Sequence, residues 1–113
     1  MSDIIIAESA ANLALDTFLI DEASLHSDNP STAGDNELSG VGYSRQSVTF
    51  LTAANAKRLL QDDAVFTVTA GDTVAWISYW YQGDFVIARK LITAIEYSQS
   101  GTFTLSADTE LVL

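Results

Sequence analysis

The chain reads as a mainly β protein, an antiparallel β-sandwich of jelly-roll character with one or two short helices. Three observations lead there. From Val65 onward, apolar and polar residues alternate, or run in short apolar blocks, at the period of two that a pleated strand imposes. Turn signals (Ala70-Gly71-Asp72, Gln82-Gly83-Asp84, Ser98–Gly101) separate these blocks at the spacing of a compact all-β domain. Helical periodicity is confined to the N-terminal stretch and one short segment after Thr52.

Taken in order, Ile4–Ile6 is a β-branched run suited to an edge strand or arm. Ala7 to Leu19 fits a helix, because Ala11, Leu15, Phe18 and Leu19 fall at i, i+4, i+7 and i+8, and Ser9 is a candidate cap. Phe18-Leu19-Ile20 leads into a polar loop, residues 27–42, which holds the single proline, Pro30. Gly42 to Phe50 then reads as a strand, with Val48 and Phe50 alternating with Ser47 and Thr49. Thr52 is placed to cap a short helix over AANAKRLLQ, with Ala56, Leu59 and Leu60 on one side and Asp62-Asp63 at its end.

Phe66, Val68 and Ala70 alternate with Val65, Thr67 and Thr69. Thr73–Tyr81, TVAWISYWY, is apolar on both faces, as a central strand requires. Gln82-Gly83-Asp84 is a tight hairpin connection to the partner strand Phe85–Ile92. Ile95–Tyr97, Thr102–Ala107 and Glu110–Leu113 complete the β pieces. Residues 1–113 are expected to form one domain, with an arm and helix over 1–24 and a sandwich over 25–113.

Composition narrows the classes of function. At 113 residues, 48% hydrophobic and 18% charged, the chain has enough apolar content to fold. No apolar run reaches the length of a membrane span, so no membrane insertion is expected. MSDIIIAESA carries no basic residue ahead of its apolar stretch and does not read as a secretory signal. The absence of cysteine excludes disulfides and thiolate metal sites. The formal charge is −10, and residues 1–44 hold eight acids and no Lys or Arg, the first base being Arg45. Such a surface repels a polyanion, so no nucleic-acid partner is expected. It serves as a solvated acidic face, or as a docking face for a basic patch on another protein.

Signatures of catalysis are missing: there is no Gly-rich phosphate loop, GxSxG, HExxH or CxxC. The one histidine, His26, has Ser27 and Asp28 beside it in the loop, which makes no triad. It is read as an anchor at the base of the loop, and no catalytic residue is expected. Asp28, Asp35 and Glu37, with Asn29 and Asn36, offer the oxygens that Ca²⁺ prefers, but their spacing matches no EF-hand and Asx-turns account for them. No metal or cofactor is therefore expected. Trp76 and Trp80 share one face of their strand, Tyr79 and Tyr81 the other. One pair is expected in the core and the other on the opposite face, under a helix or at a subunit contact; the rival reading is a stacking platform for sugar rings. Lys57-Arg58 and Arg89-Lys90 are expected to form ion pairs within the fold or across subunits, and Arg45 to bind a carboxylate under the long loop.

Leu25-His26, Asp28-Asn29-Pro30, the segment Asn36-Glu37, Gly42-Tyr43-Ser44-Arg45-Gln46 and Val48-Thr49-Phe50 together resemble a family of small tailed-phage virion proteins described as tail-fibre-like, a resemblance that covers about Leu25 to Phe50. Gly71-Asp72-Thr73 is similar to a turn of that family. The motif is structural, so the resemblance implies a building block of the particle exterior, tail-fibre-like or capsid-decorating, and no enzyme. It implies partners among the other virion proteins, whether major capsid or tail and baseplate, and a homo-oligomer, with a trimer as the first expectation. The location implied is the virion, after synthesis in the bacterial host cytoplasm. Tyr43, Arg45, Trp76, Tyr79, Trp80 and Tyr81 are the candidate interface residues, with His26, Asp28, Asp35 and Glu37 as the loop set. The alternative from another class is a carbohydrate-binding module for host surface glycans.

Overall fold

A computed structural model describes residues 7–112, so the expected strand or arm at Ile4–Ile6 lies outside the described residues. Among the described residues the fold is mainly β, with antiparallel sheets and a single short helix. The element order is α1 (Glu8–Asp16), β1 (Glu22–His26), β2 (Gln46–Ser47), β3 (Arg58–Leu59), β4 (Ala64–Val68), β5 (Thr73–Tyr81), β6 (Asp84–Glu96), β7 (Gly101–Leu105) and β8 (Glu110–Leu111). Among the described residues the strands divide into a four-stranded sheet, ordered β2-β1-β5-β6, and two ribbons, β3-β8 and β4-β7.

β5 is central because both its faces are covered. In its register with β1, Leu25 pairs with Ile77 and Ala23 with Tyr79. These four residues enter a core shared with Phe66 and Val68 of β4, Phe103 and Leu105 of β7, and Leu15, Phe50 and Leu60. Phe50 meets Tyr79 edge-on at 5.2 Å, an arrangement that the ring quadrupoles favour. The opposite face carries Ser24, His26, Trp76, Ser78 and Trp80, in the register Ser24↔Ser78 and His26↔Trp76. The hairpin to β6 turns through Gln82 (φ 50°) and Gly83 (φ 84°), the two left-handed residues that match the twist of paired strands.

Four expectations need correction. The helix ends at Asp16, three residues before Leu19, and Ser9 does not cap it, since Ala7 is the N-cap and makes no side-chain bond. Termination has a local and a distant cause. Thr17 Oγ1 donates to the Ala14 carbonyl at 2.6 Å, and Arg58 Nη1 reaches the Phe18 carbonyl at 2.9 Å, satisfying end groups that a longer helix would use itself.

The second expected helix, AANAKRLLQ, is a tight turn leading into β3. Ala54 and Lys57 exchange backbone hydrogen bonds of 2.9 and 3.1 Å around Asn55 (φ 55°) and Ala56 (φ 59°). The helix α1 overrides the local propensity: Asp16 Oδ1 accepts from Ala53 N–H at 2.9 Å and Asn12 Oδ1 from Ala56 N–H at 2.8 Å.

The long strand expected over Gly42–Phe50 shrinks to Gln46–Ser47, with Phe50 forming an isolated bridge to Leu60. Gly42 (φ 83°) and the Tyr43 N–H bond to the Gly40 carbonyl bend the chain ahead of it. That bend sends Tyr43 and Arg45 back towards the loop. The sheet also begins earlier than the expected boundary at residue 25, since β1 starts at Glu22.

Candidate functional site

The residues from 27 to 45 leave β1 and return to the same edge of it. At one end, His26 bridges to Glu37, Ser27 N–H donates to the Asn36 carbonyl at 3.0 Å and Leu38 N–H to the Leu25 carbonyl at 3.0 Å. At the other, β2 pairs with Glu22 and Ala23. Between the two pairings, the Leu25 N–H donates to the Tyr43 hydroxyl at 3.0 Å. The strand edge is thus closed by backbone where the loop allows it and by a phenol where it does not.

The Tyr43 hydroxyl in turn donates to Glu37 Oε2 at 2.8 Å, and Arg45 donates to both Glu37 oxygens, Nη2 at 3.0 Å and Nε at 3.1 Å. This fork fixes the guanidinium plane. The plane lies over the Trp80 ring, 3.7 Å from its centroid. Trp80 Nε1–H donates to Ser24 Oγ at 2.7 Å, and Ser24 Oγ lies 2.7 Å from His26 Nε2. His26 Nδ1 lies 2.7 Å from the Asp35 carbonyl, which only accepts, so Nδ1 carries the proton and Ser24 donates to Nε2. Every hydrogen-bonding atom of the neutral ring is satisfied.

Electrostatics agree with that assignment. Burial holds the His26 pKa below its ordinary 6.5, against the pull of the Asp35 carbonyl and Glu37. Burial also drives the Tyr43 hydroxyl well above the usual phenol range. The Glu37 carboxylate holds the Arg45 guanidinium in its charged form. Close packing completes the cluster: Gly34 sits at φ 81° against the indole, and a Cβ there would lie 2.5 Å from Trp80 Cζ2. Pro30, under the same loop, is fully buried.

The sequence-predicted residues separate as follows. His26, Glu37, Tyr43, Arg45 and Trp80 come together. Asp35 joins through its carbonyl rather than its carboxylate. Asp28 stays outside, its Oδ1 accepting from the Asn29 N–H at 2.7 Å, and Asn29 Oδ1 accepts from Ser31 N–H at 2.8 Å in an Asx-turn. Tyr79 faces the core at 1% exposure and Trp80 is 6% exposed, so neither ring offers a flat surface to a sugar. Trp76 and Tyr81 are half-buried and lie on opposite faces of β5.

The polar loop is not uniformly exposed: Pro30 and Leu38 are buried while Ser31 to Ala33 are exposed. Sequence reasoning missed Ser24 as the histidine's partner and Gly34 as the seat of the indole. The i, i+2 spacing of Ser24 and His26 on one strand face was the available signal. The Ser24–His26 pair has a hydroxyl and an imidazole at bonding distance, and both side chains are fully buried beneath Trp80 and the loop.

A second feature, a surface cavity of about 440 Å³, lies where Thr73 pairs with Glu96 and is lined by Gly71, Asp72, Thr73, Glu96, Tyr97 and Ser98. Among the described residues no group of three or more His, Cys, Asp or Glu gathers in a metal-binding arrangement. No family model, curated protein or solved structure matches this chain.

Proposed function

We propose that this chain is a non-enzymatic structural subunit on the exterior of a tailed-phage particle, tail-fibre-like or capsid-decorating. In this reading it acts by self-association and by docking onto other virion proteins. One observation carries the reading: the residues through which the chain resembles the phage family are used up on one another. His26, Glu37, Tyr43 and Arg45 satisfy each other and the β1 edge in a cluster built over Trp80, an arrangement that supports shape rather than chemistry. The unpaired acids of the N-terminal half then remain for solvent or for a basic partner.

The test is to identify the proteins of purified phage particles by mass spectrometry and to label this chain by antibody on intact particles. The chain is expected in the particle and accessible from outside. Absence from particles, or turnover of a substrate by the pure protein, overturns the reading.

A further inference from the structure

β6 differs from the other long strands of the fold. It is the last strand of the four-stranded sheet, and its only extensive packing against another element is on β5. Its sequence, DFVIARKLITAIE, contains eight apolar residues among 13, the content of a covered strand. None of the 13 is buried. Ile92 is fully exposed and Ile95 is 42% exposed. The register jumps from Trp76↔Lys90 to Val74↔Ile95, so residues 91–94 have no partner residue on β5. A long apolar edge with unused backbone groups is a template for another strand.

Charge indicates which strand. Of the five basic residues, Arg45, Lys57 and Arg58 each have a carboxylate within 4.0 Å, at Glu37, Glu110 and Asp16. Arg89 and Lys90 have none among the described residues, and both lie on β6, whose last residue is Glu96. We propose that two copies of this chain join edge to edge through β6, antiparallel, about a two-fold axis between Ile92 and Thr93. This rests on the self-association reading above.

In that register each Arg89 faces the other copy's Glu96, and no two like charges are directly opposed. Opposite-charge cross-strand pairs favour the register and like-charge pairs disfavour others. Two chains that are acidic overall would thus meet at the one place where each presents unpaired cations. Lys90, opposite Ile95, is placed to cover apolar surface with its stem. An isologous contact of this kind closes at two copies, in place of the trimer that the phage resemblance implies.

Light scattering on the pure protein tests the pairing, with four variants. Wild type is expected at twice the chain mass and Ile92→Lys at the chain mass, with unchanged circular dichroism because Ile92 makes no buried contact. Arg89→Glu and Glu96→Arg should each weaken the dimer at least tenfold, and Arg89→Glu/Glu96→Arg should restore it. A wild type that stays monomeric at its highest soluble concentration overturns the pairing, and leaves docking onto other virion proteins to be judged by the particle experiment. A dimer or trimer that survives Ile92→Lys also overturns it, while sparing self-association by another surface. Weakening by both single charge reversals without restoration in the double variant rejects the Arg89–Glu96 register.

Discussion

Along β1, the backbone groups not used by β5 are taken up by β2, by residues 36–38 and by the Tyr43 hydroxyl, and the loop that supplies them seals one face of the sheet over Trp80. Along β6, the opposite edge of the same sheet, no strand, loop or side chain among the described elements does the equivalent. Both strands are rich in apolar residues, yet four of the five residues of β1 are buried and none of β6. The contrast shows that strand composition alone does not decide burial. The connections decide it: β1 is followed by a loop long enough to return to its own edge, whereas β6 is joined to β5 and β7 by short turns that cannot reach around it.

The comparison can be broken most directly at Trp80. Trp80→Ala removes the ring on which Arg45 and Gly34 rest, and should lower unfolding free energy by about 3–5 kcal/mol in urea titration. A loss under about 1 kcal/mol would mean that the loop does not hold the edge. Gly34→Ala combines a left-handed backbone with overlap on the indole, and a loss of about 2–3 kcal/mol is expected, with faster proteolysis inside residues 27–45. Tyr43→Phe keeps the ring beside Phe66 but leaves the Leu25 N–H and Glu37 without the hydroxyl, which should lower stability by about 1–3 kcal/mol.

Acid sharpens the picture further. The buried His26 has a folded pKa below 6.5, so as pH falls the unfolded chain takes up its proton first. The stability that the neutral ring contributes is therefore complete above the unfolded pKa and declines below it. The decline is at most about 1.4 kcal/mol per pH unit and stops once the folded pKa is reached. Comparing urea midpoints at about pH 7.5 and pH 5.5, in wild type and His26→Gln, checks this; an equal pH response in both would remove His26 as the cause. The smallest effect belongs to the open edge. Ile92→Lys should leave the stability of the isolated chain within about 0.5 kcal/mol of wild type, because nothing in the chain packs on that side chain.

Much of the β architecture was legible in the sequence. A block with apolar residues on both faces, TVAWISYWY, read as a central strand, and Gln82-Gly83 carried its own turn chemistry. The shared face of Trp76 and Trp80 followed from the strand period and is what the register with β1 gives. Segment 54–60 was not legible. Asn55-Ala56 lacks the glycine that marks a two-residue turn, and its helix-forming neighbours pointed elsewhere; side chains of α1 decide its conformation. The cluster was half legible. Arg45 was expected to find a carboxylate under the loop and it meets Glu37, but Ser24 becomes the partner of His26 only when Trp80, 56 residues away, is paired beside it.

That separation bears on the order of events at the ribosome. Sealing the loop requires an indole made long after the loop itself, so the N-terminal third of a nascent chain has no surface to settle on until β5 has cleared the exit. The excess of acids over bases in residues 1–44 suits that wait, because mutual repulsion keeps unfinished chains apart while synthesis catches up.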